Sequence, residues 1–211
     1  TQELMDEIKR NQLVTQILNE NLLTYYYQPI VSVEDGSIYA FEALMRYEAE
    51  RISPFHIIQS ATYLNRLSDI EKMTLLNVTE DVQNNITKFG DAKVFLNSLP
   101  GIEISEDDDK IFSERLKANN DRFVIEFTEE SELDDDKLQA LKDKYYRLGS
   151  QIAVDDFGAG YSNVNNLLRY MPNYVKIDRM LLSEIQNNPQ KIHFVKDIVS
   201  FAKENKFKVL A

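Results

Sequence analysis

The sequence predicts an α/β fold on a largely parallel sheet, of the kind that holds its chemistry at the carboxyl ends of its strands. Three observations carry this. Apolar, strand-like runs (Val94 to Leu96, Phe123 to Phe127, Ile152 to Val154, Tyr174 to Ile177, Phe207 to Leu210) alternate with helical stretches near 106–118, 134–148, 162–169 and 189–204, the signature of successive βα units. Asn97, Glu126, Asp155 with Asp156, and Lys176 stand at or near the ends of those runs, where (β/α)8 barrels above all place functional groups. A hairpin signal precedes the series.

Taken in order, Thr1 to about Asn21 carries Leu4, Ile8, Leu13, Ile17 and Leu18 among charges, a helical stripe that suits a core or a coiled-coil lead-in equally. The chain does not open on Met, so an upstream region is expected. Tyr25 to Val33 and Ile38 to Tyr47 read as strands around Glu34-Asp35-Gly36-Ser37, a hairpin built on Asp-Gly. Pro54 to Ile86 has a helical pattern. Glu106-Asp107-Asp108-Asp109 and Asp134-Asp135-Asp136 are read as helix N-terminal charges rather than metal sites, because Asp is favoured in a first turn. No linker, low-complexity tract or repeat interrupts the chain, so residues 1–20 are taken as a lead-in helix or linker and 21–211 as one domain.

Composition narrows the chemistry. A chain of 211 residues, 43% hydrophobic, can bury a packed core. Its formal charge of −11 argues against a nucleic-acid polymer as partner, since phosphate backbones are met with surplus Lys and Arg. An anionic ligand would need a local cation. The absence of cysteine excludes disulfides, thiol catalysis and Cys-based zinc sites. His56 and His193 are the only histidines, too few for a histidine-rich metal centre. No apolar run approaches the roughly 20 residues of a membrane span, so no membrane contact is expected within this chain.

The stretch Val154-Asp155-Asp156-Phe157-Gly158-Ala159-Gly160-Tyr161-Ser162-Asn163 is the most informative. In a regular strand its two aspartates point to opposite faces, and adjacent like charges repel unless cations or donors lie close. The pair alone also fits a solvated strand-to-helix turn, with Ser162 or Asn163 as the cap. Phe157 is read as a packing anchor rather than a stacking surface.

Six motifs decide between these. Tyr27-Gln28-Pro29-Ile30-Val31, Phe41-Glu42-Ala43-Leu44-Met45-Arg46, Phe95-Leu96-Asn97-Ser98-Leu99-Pro100, Val124-Ile125-Glu126-Phe127-Thr128-Glu129, Asp155-Asp156-Phe157-Gly158-Ala159-Gly160-Tyr161-Ser162 and Val175-Lys176-Ile177-Asp178 occur in that order. The chain thereby resembles an EAL domain from about Leu13 to Ala211. The resemblance implies a modified TIM (β/α)8 barrel with an antiparallel first strand. It also implies phosphodiesterase activity that opens cyclic di-GMP to linear pGpG with two Mg2+ or Mn2+ ions. Glu42, Asn97, Glu126 and Asp155 would hold one ion, and Asp155 with Asp156 the second. Lys176 matches the lysine that contacts the attacking water. Gln28, Leu44, Arg46 and Asp178 match ligand-binding positions, and Glu129 matches the glutamate that anchors the Asp155-Asp156 loop. Upstream sensory or GGDEF domains, a homodimer and a cytoplasmic setting, with room for a membrane tether upstream, are implied as well.

The chain departs from the family at its end. It stops at Lys208-Val209-Leu210-Ala211, where the family runs on into Glu-Gly-Val-Glu, a last strand and closing helices. The expectation is therefore a truncated chain without activity of its own, its open edge covered by a dimer, by a rearranged terminus or by further residues. A catalytically silent cyclic di-GMP receptor is the alternative. The residues alone also allow a glycosidase, since barrels with paired carboxylates at strand ends often are; the absence of Trp and the adjacency of the two aspartates count against it.

Overall fold

A computed structural model describes residues 2–49, 52–128, 133–158 and 164–211. The chain forms two compact units, residues 1–123 and 124–211.

In the first unit, α1 (Gln2–Glu20) leads into the hairpin β1 (Thr24–Val31) and β2 (Ile38–Arg46). These strands pair antiparallel, as the Asp-Gly signal predicts, and β2 then pairs parallel with β3 (Lys93–Asn97). Gly36, at φ +72°, supplies the left-handed residue of the turn. Only the second half of α1 is core: Val14, Ile17 and Leu18 are buried with Leu23, Ile57, Ala61, Ile70 and Met73, while Leu4, Met5 and Ile8 are exposed.

The helical pattern from Pro54 to Ile86 resolves into α2 (Pro54–Tyr63), α3 (Leu67–Asn84) and the single turn α4 (Ile86–Phe89). The break follows from Asn65, whose φ of +54° stops α2, since Asn tolerates the left-handed region better than most residues. The acidic run does open a helix, α5 (Glu106–Ala118). Its cap Ser105 accepts the Asp108 N–H at 3.2 Å and donates its hydroxyl to Asp108 Oδ2 at 2.7 Å. That hydrogen bond, with Lys72 beside it, holds the Asp108 carboxyl below the usual carboxylate range.

The second unit is a βα series: β4 (Phe123–Thr128, beginning on the last residue of the first unit), α6 (Asp135–Arg147), β5 (Gln151–Phe157), α7 (Val164–Tyr170), β6 (Tyr174–Ile177), the one-turn α8 (Arg179–Leu182), α9 (Pro189–Glu204) and β7 (Lys208–Leu210). Each of β5, β6 and β7 pairs parallel with the strand before it. Val124, Ile125, Phe127, Ile152, Ala153, Val154 and Val175 are fully buried, the continuous apolar pattern of strands covered on both faces. Asp134 caps α6 by accepting the Lys137 N–H at 2.8 Å, so the second acidic group also serves a helix start. The turn α8 is too short to show an apolar period in the sequence. It exists because Asp178 caps it, Oδ1 accepting the Met180 N–H at 2.7 Å, and because Lys191 Nζ donates to the Met180 and Ser183 carbonyls at 2.6 and 2.9 Å. Ser162 and Asn163 lie outside the described residues. No described helix is long and apolar enough to cross a membrane.

Candidate functional site

Each unit presents its own set of the residues singled out above. In the first, the β1–β2 register sets Gln28 opposite Glu42, Tyr26 opposite Leu44 and Thr24 opposite Arg46. Directly opposed residues of an antiparallel pair share a face, and the face repeats every second residue. Gln28, Glu42, Leu44 and Arg46 are therefore on one side of the hairpin. The parallel register Glu42↔Phe95 puts Asn97, two residues further on, on that side too. The other face goes to α3: the Tyr25 hydroxyl donates to Thr74 Oγ1 at 3.1 Å and the Tyr27 hydroxyl to Asp81 Oδ2 at 2.6 Å. Burial pushes both phenols up, and for Tyr27 the bonded Asp81 carboxylate adds to the effect.

Asn97 is positioned from behind by a residue that sequence reasoning missed. Glu71 of α3 is buried, and its carboxylate accepts the Ser98 hydroxyl at 2.6 Å and the Leu99 N–H at 2.8 Å, tying down the chain directly after Asn97. An acid in the middle of an amphipathic helix looks like any solvated charge in sequence; only its position on the buried stripe of α3 marks it.

In the second unit, the Lys176 ammonium lies 2.8 Å from Glu126 Oε1 and 3.1 Å from Asp155 Oδ2. The Glu126 carboxylate is wholly buried, and the Lys176 and Asp155 side chains are 14% and 17% exposed. Three strands, β4, β5 and β6, thus bring two acids and one base to one place. So little water reaches it that these charges interact far more strongly than on a surface.

The aspartate pair has a structural explanation. Between Val154 and Phe157 β5 takes three residue steps while β6 takes two, from Val175 to Ile177. One extra residue is a bulge, a device that re-aims side chains at barrel rims and active sites. Asp156 sits in it with φ +55°, its N–H bonded to Asp155 Oδ1 at 2.8 Å. The strict alternation of a flat strand is broken at this point. Phe157 is fully buried, the packing anchor expected of it, and its carbonyl accepts the Asp178 N–H at 2.9 Å. Gly158 has φ +106°, and a Cβ there would come within 2.8 Å of Leu181 Cδ2. Glycine is required at this position by conformation and by space. Glu129 and Gly160 lie outside the described residues.

The chain resembles known proteins in sequence and in fold. The chain is 27% identical over 205 residues to the cyclic di-GMP phosphodiesterase PdeR of Escherichia coli strain K12, covering 92% of this chain and 30% of that protein. It thus spans less than a third of the relative's length. Among solved structures, PaMucR phosphodiesterase in complex with c-di-GMP matches at TM-score 0.80 and 23% identity, over 95% of this chain and 85% of that one. Klebsiella pneumoniae BlrP1 in a manganese and cyclic di-GMP complex matches at TM-score 0.77 and 23% identity, over 89% of this chain and 48% of that one. These likenesses establish the fold, the α/β, TIM-barrel-like architecture expected from the sequence. The EAL domain family model matches residues 10–211, and the chain belongs to the EAL domain family.

Proposed function

We propose that this chain belongs to the phosphodiesterase domain of a larger signalling protein, a domain that opens cyclic di-GMP to linear pGpG. The observation that carries the reading is the Lys176 ammonium held against the Glu126 and Asp155 carboxylates at strand ends of an EAL-family chain. Carboxylate oxygens converging on a single cationic centre, with no cysteine in the chain and few histidines, fit hard divalent ions such as Mg2+ or Mn2+. Glu42, Asn97, Glu126 and Asp155 would hold one ion, and Asp155 with Asp156 a second. When bound, the ions would supply polarisation of the phosphodiester and a lowered pKa for water.

The protein groups do the rest. Lys176, an ammonium among carboxylates, orients the attacking water by donating to it. The Arg46 guanidinium takes the phosphate oxygens in a fork, and Gln28, Leu44 and Asp178 line the ligand. Water oxygen forms one bond to phosphorus, the bond to the ribose 3′ oxygen breaks, and that oxygen takes a proton, so one water is consumed. Glu129 anchors the loop that carries Asp155 and Asp156. An upstream sensory or GGDEF domain and a homodimer belong to the same reading.

Chromatography of cyclic di-GMP incubated with the protein tests it. The expected result is linear pGpG with Mg2+ or Mn2+ and none with EDTA. Binding without turnover makes the domain a silent receptor, and the absence of both binding and turnover removes the reading.

A further inference from the structure

Tyr26 has no part in the reading above, yet it stands among the residues that do. It is opposite Leu44 and two residues from Gln28, so it shares the face of Gln28, Glu42, Leu44 and Arg46. Its neighbours Tyr25 and Tyr27 point the other way and commit their hydroxyls to α3. Tyr26 instead leaves 53% of its surface open. An open ring of this size on the ligand-facing side of a hairpin loses apolar burial that a polar residue would not forgo.

The ring is nevertheless held in place. Its hydroxyl donates to Glu48 Oε1 at 3.2 Å, and the Arg46 guanidinium carbon lies 5.7 Å from the ring centroid, within cation–π range. A fixed π surface therefore adjoins the guanidinium best suited to a phosphate. This pairing fits a ligand with an aromatic base one sugar away from its phosphate, and it has no use for a bare phosphodiester. Aromatic side chains stack on nucleobases through the ring face, which every base offers. Preorganisation of the ring removes part of the entropy cost of binding.

We propose that Tyr26 is the platform on which a guanine of the ligand stacks, and that it favours base-bearing cyclic dinucleotides over phosphodiesters without a base. The inference rests on the cyclic di-GMP reading and adds the residue that recognises the base. The test is an equilibrium titration of the purified protein, with Ca2+ as the divalent ion, using a cyclic dinucleotide in which 2-aminopurine replaces one guanine. Stacking quenches that fluorophore. Tyr26→Phe keeps the ring and should bind and quench like the parent. Tyr26→Ala should bind about thirtyfold more weakly, the middle of the range for one stacked base, and lose the quench. Tyr26→Leu, which keeps bulk without a π face, should behave like the alanine variant. Equal affinity and quench in the parent and in both Tyr26→Ala and Tyr26→Leu would overturn the platform while leaving the cyclic di-GMP reading intact. A parent protein that binds no cyclic dinucleotide would overturn both.

Discussion

The hairpin of the first unit and the β4–β5–β6 strand ends of the second expose functional groups by opposite means. On the hairpin, regular antiparallel register does the work: Gln28, Glu42, Leu44 and Arg46 share a face because the pleat alternates, and their side chains are partly solvated. At the strand ends, geometry departs from regularity. A bulge re-aims the Asp155-Asp156 pair, and a buried ion cluster binds Lys176 to Glu126 and Asp155. Regular pairing makes a surface that tolerates change residue by residue. A bulge wrapped around buried charges makes a site in which function and stability share the same atoms.

The largest expected effect follows from that difference. Lys176→Met leaves the Glu126 carboxylate, wholly buried, and Asp155 facing one another without their cation, which costs about 3 kcal/mol. Among the described residues, Arg46→Ala on the hairpin removes the contact over Tyr26 and the 2.7 Å bond to the Met45 carbonyl, under about 1 kcal/mol. Urea unfolding of the three proteins in EDTA measures this directly. In turnover the split should reverse its character, with Lys176→Met lowering kcat and Arg46→Ala raising KM. Equal unfolding midpoints for the two variants would erase the distinction between the regions.

The next effect separates the two glycine turns. Gly158→Ala meets Leu181 Cδ2 at 2.8 Å and a φ of +106°, strain and collision together, for a cost of about 3 kcal/mol. Gly36→Ala in the hairpin turn keeps φ +72° with nothing within 4 Å of the new Cβ, so only the conformational cost of about 1 kcal/mol remains. Thermal unfolding of both variants checks the ordering; a Gly36 variant as unstable as the Gly158 variant would mean that the close approach to Leu181 is immaterial.

These positions also show how far the sequence could be read. The hairpin was legible because Asp-Gly and alternating apolar residues specify turn and register locally. The strand ends were legible as places, since Asn97, Glu126, Asp155 and Lys176 stand at or near the ends of their apolar runs. The bulge was not, because one extra residue in a run of Asp and Gly has no local signature until the neighbouring strand supplies the count. Glu71 stayed hidden for a similar reason: its partners, Ser98 and Leu99, are far away in sequence. Tyr26 was within reach, since parity with Gln28 alone assigns its face, but the run Tyr25-Tyr26-Tyr27 reads as uniform strand until its two sides are separated.

The smallest expected effect concerns the side of the hairpin turned towards α3. Tyr27→Phe removes the 2.6 Å hydrogen bond to Asp81, about 1 kcal/mol at neutral pH. Burial first, then the bonded Asp81 carboxylate, raise the Tyr27 phenol well above its ordinary value of 10.0. A group whose pKa is raised on folding contributes stability that is complete below its unfolded value and is lost as pH rises towards the folded one. Above pH 10, then, the unfolded chain ionises at Tyr27 while the folded chain does not, and the native protein loses stability with each further step. The phenylalanine variant has no such titration. Tyr25, raised mainly by burial, titrates in both proteins and cancels from the comparison. The deficit of Tyr27→Phe should therefore shrink as pH climbs from 9 to 11, measured by urea unfolding at each pH. Parallel stability curves over that interval would show that the Asp81 contact does not hold the phenol protonated, and would leave the hairpin's rear face as ordinary packing.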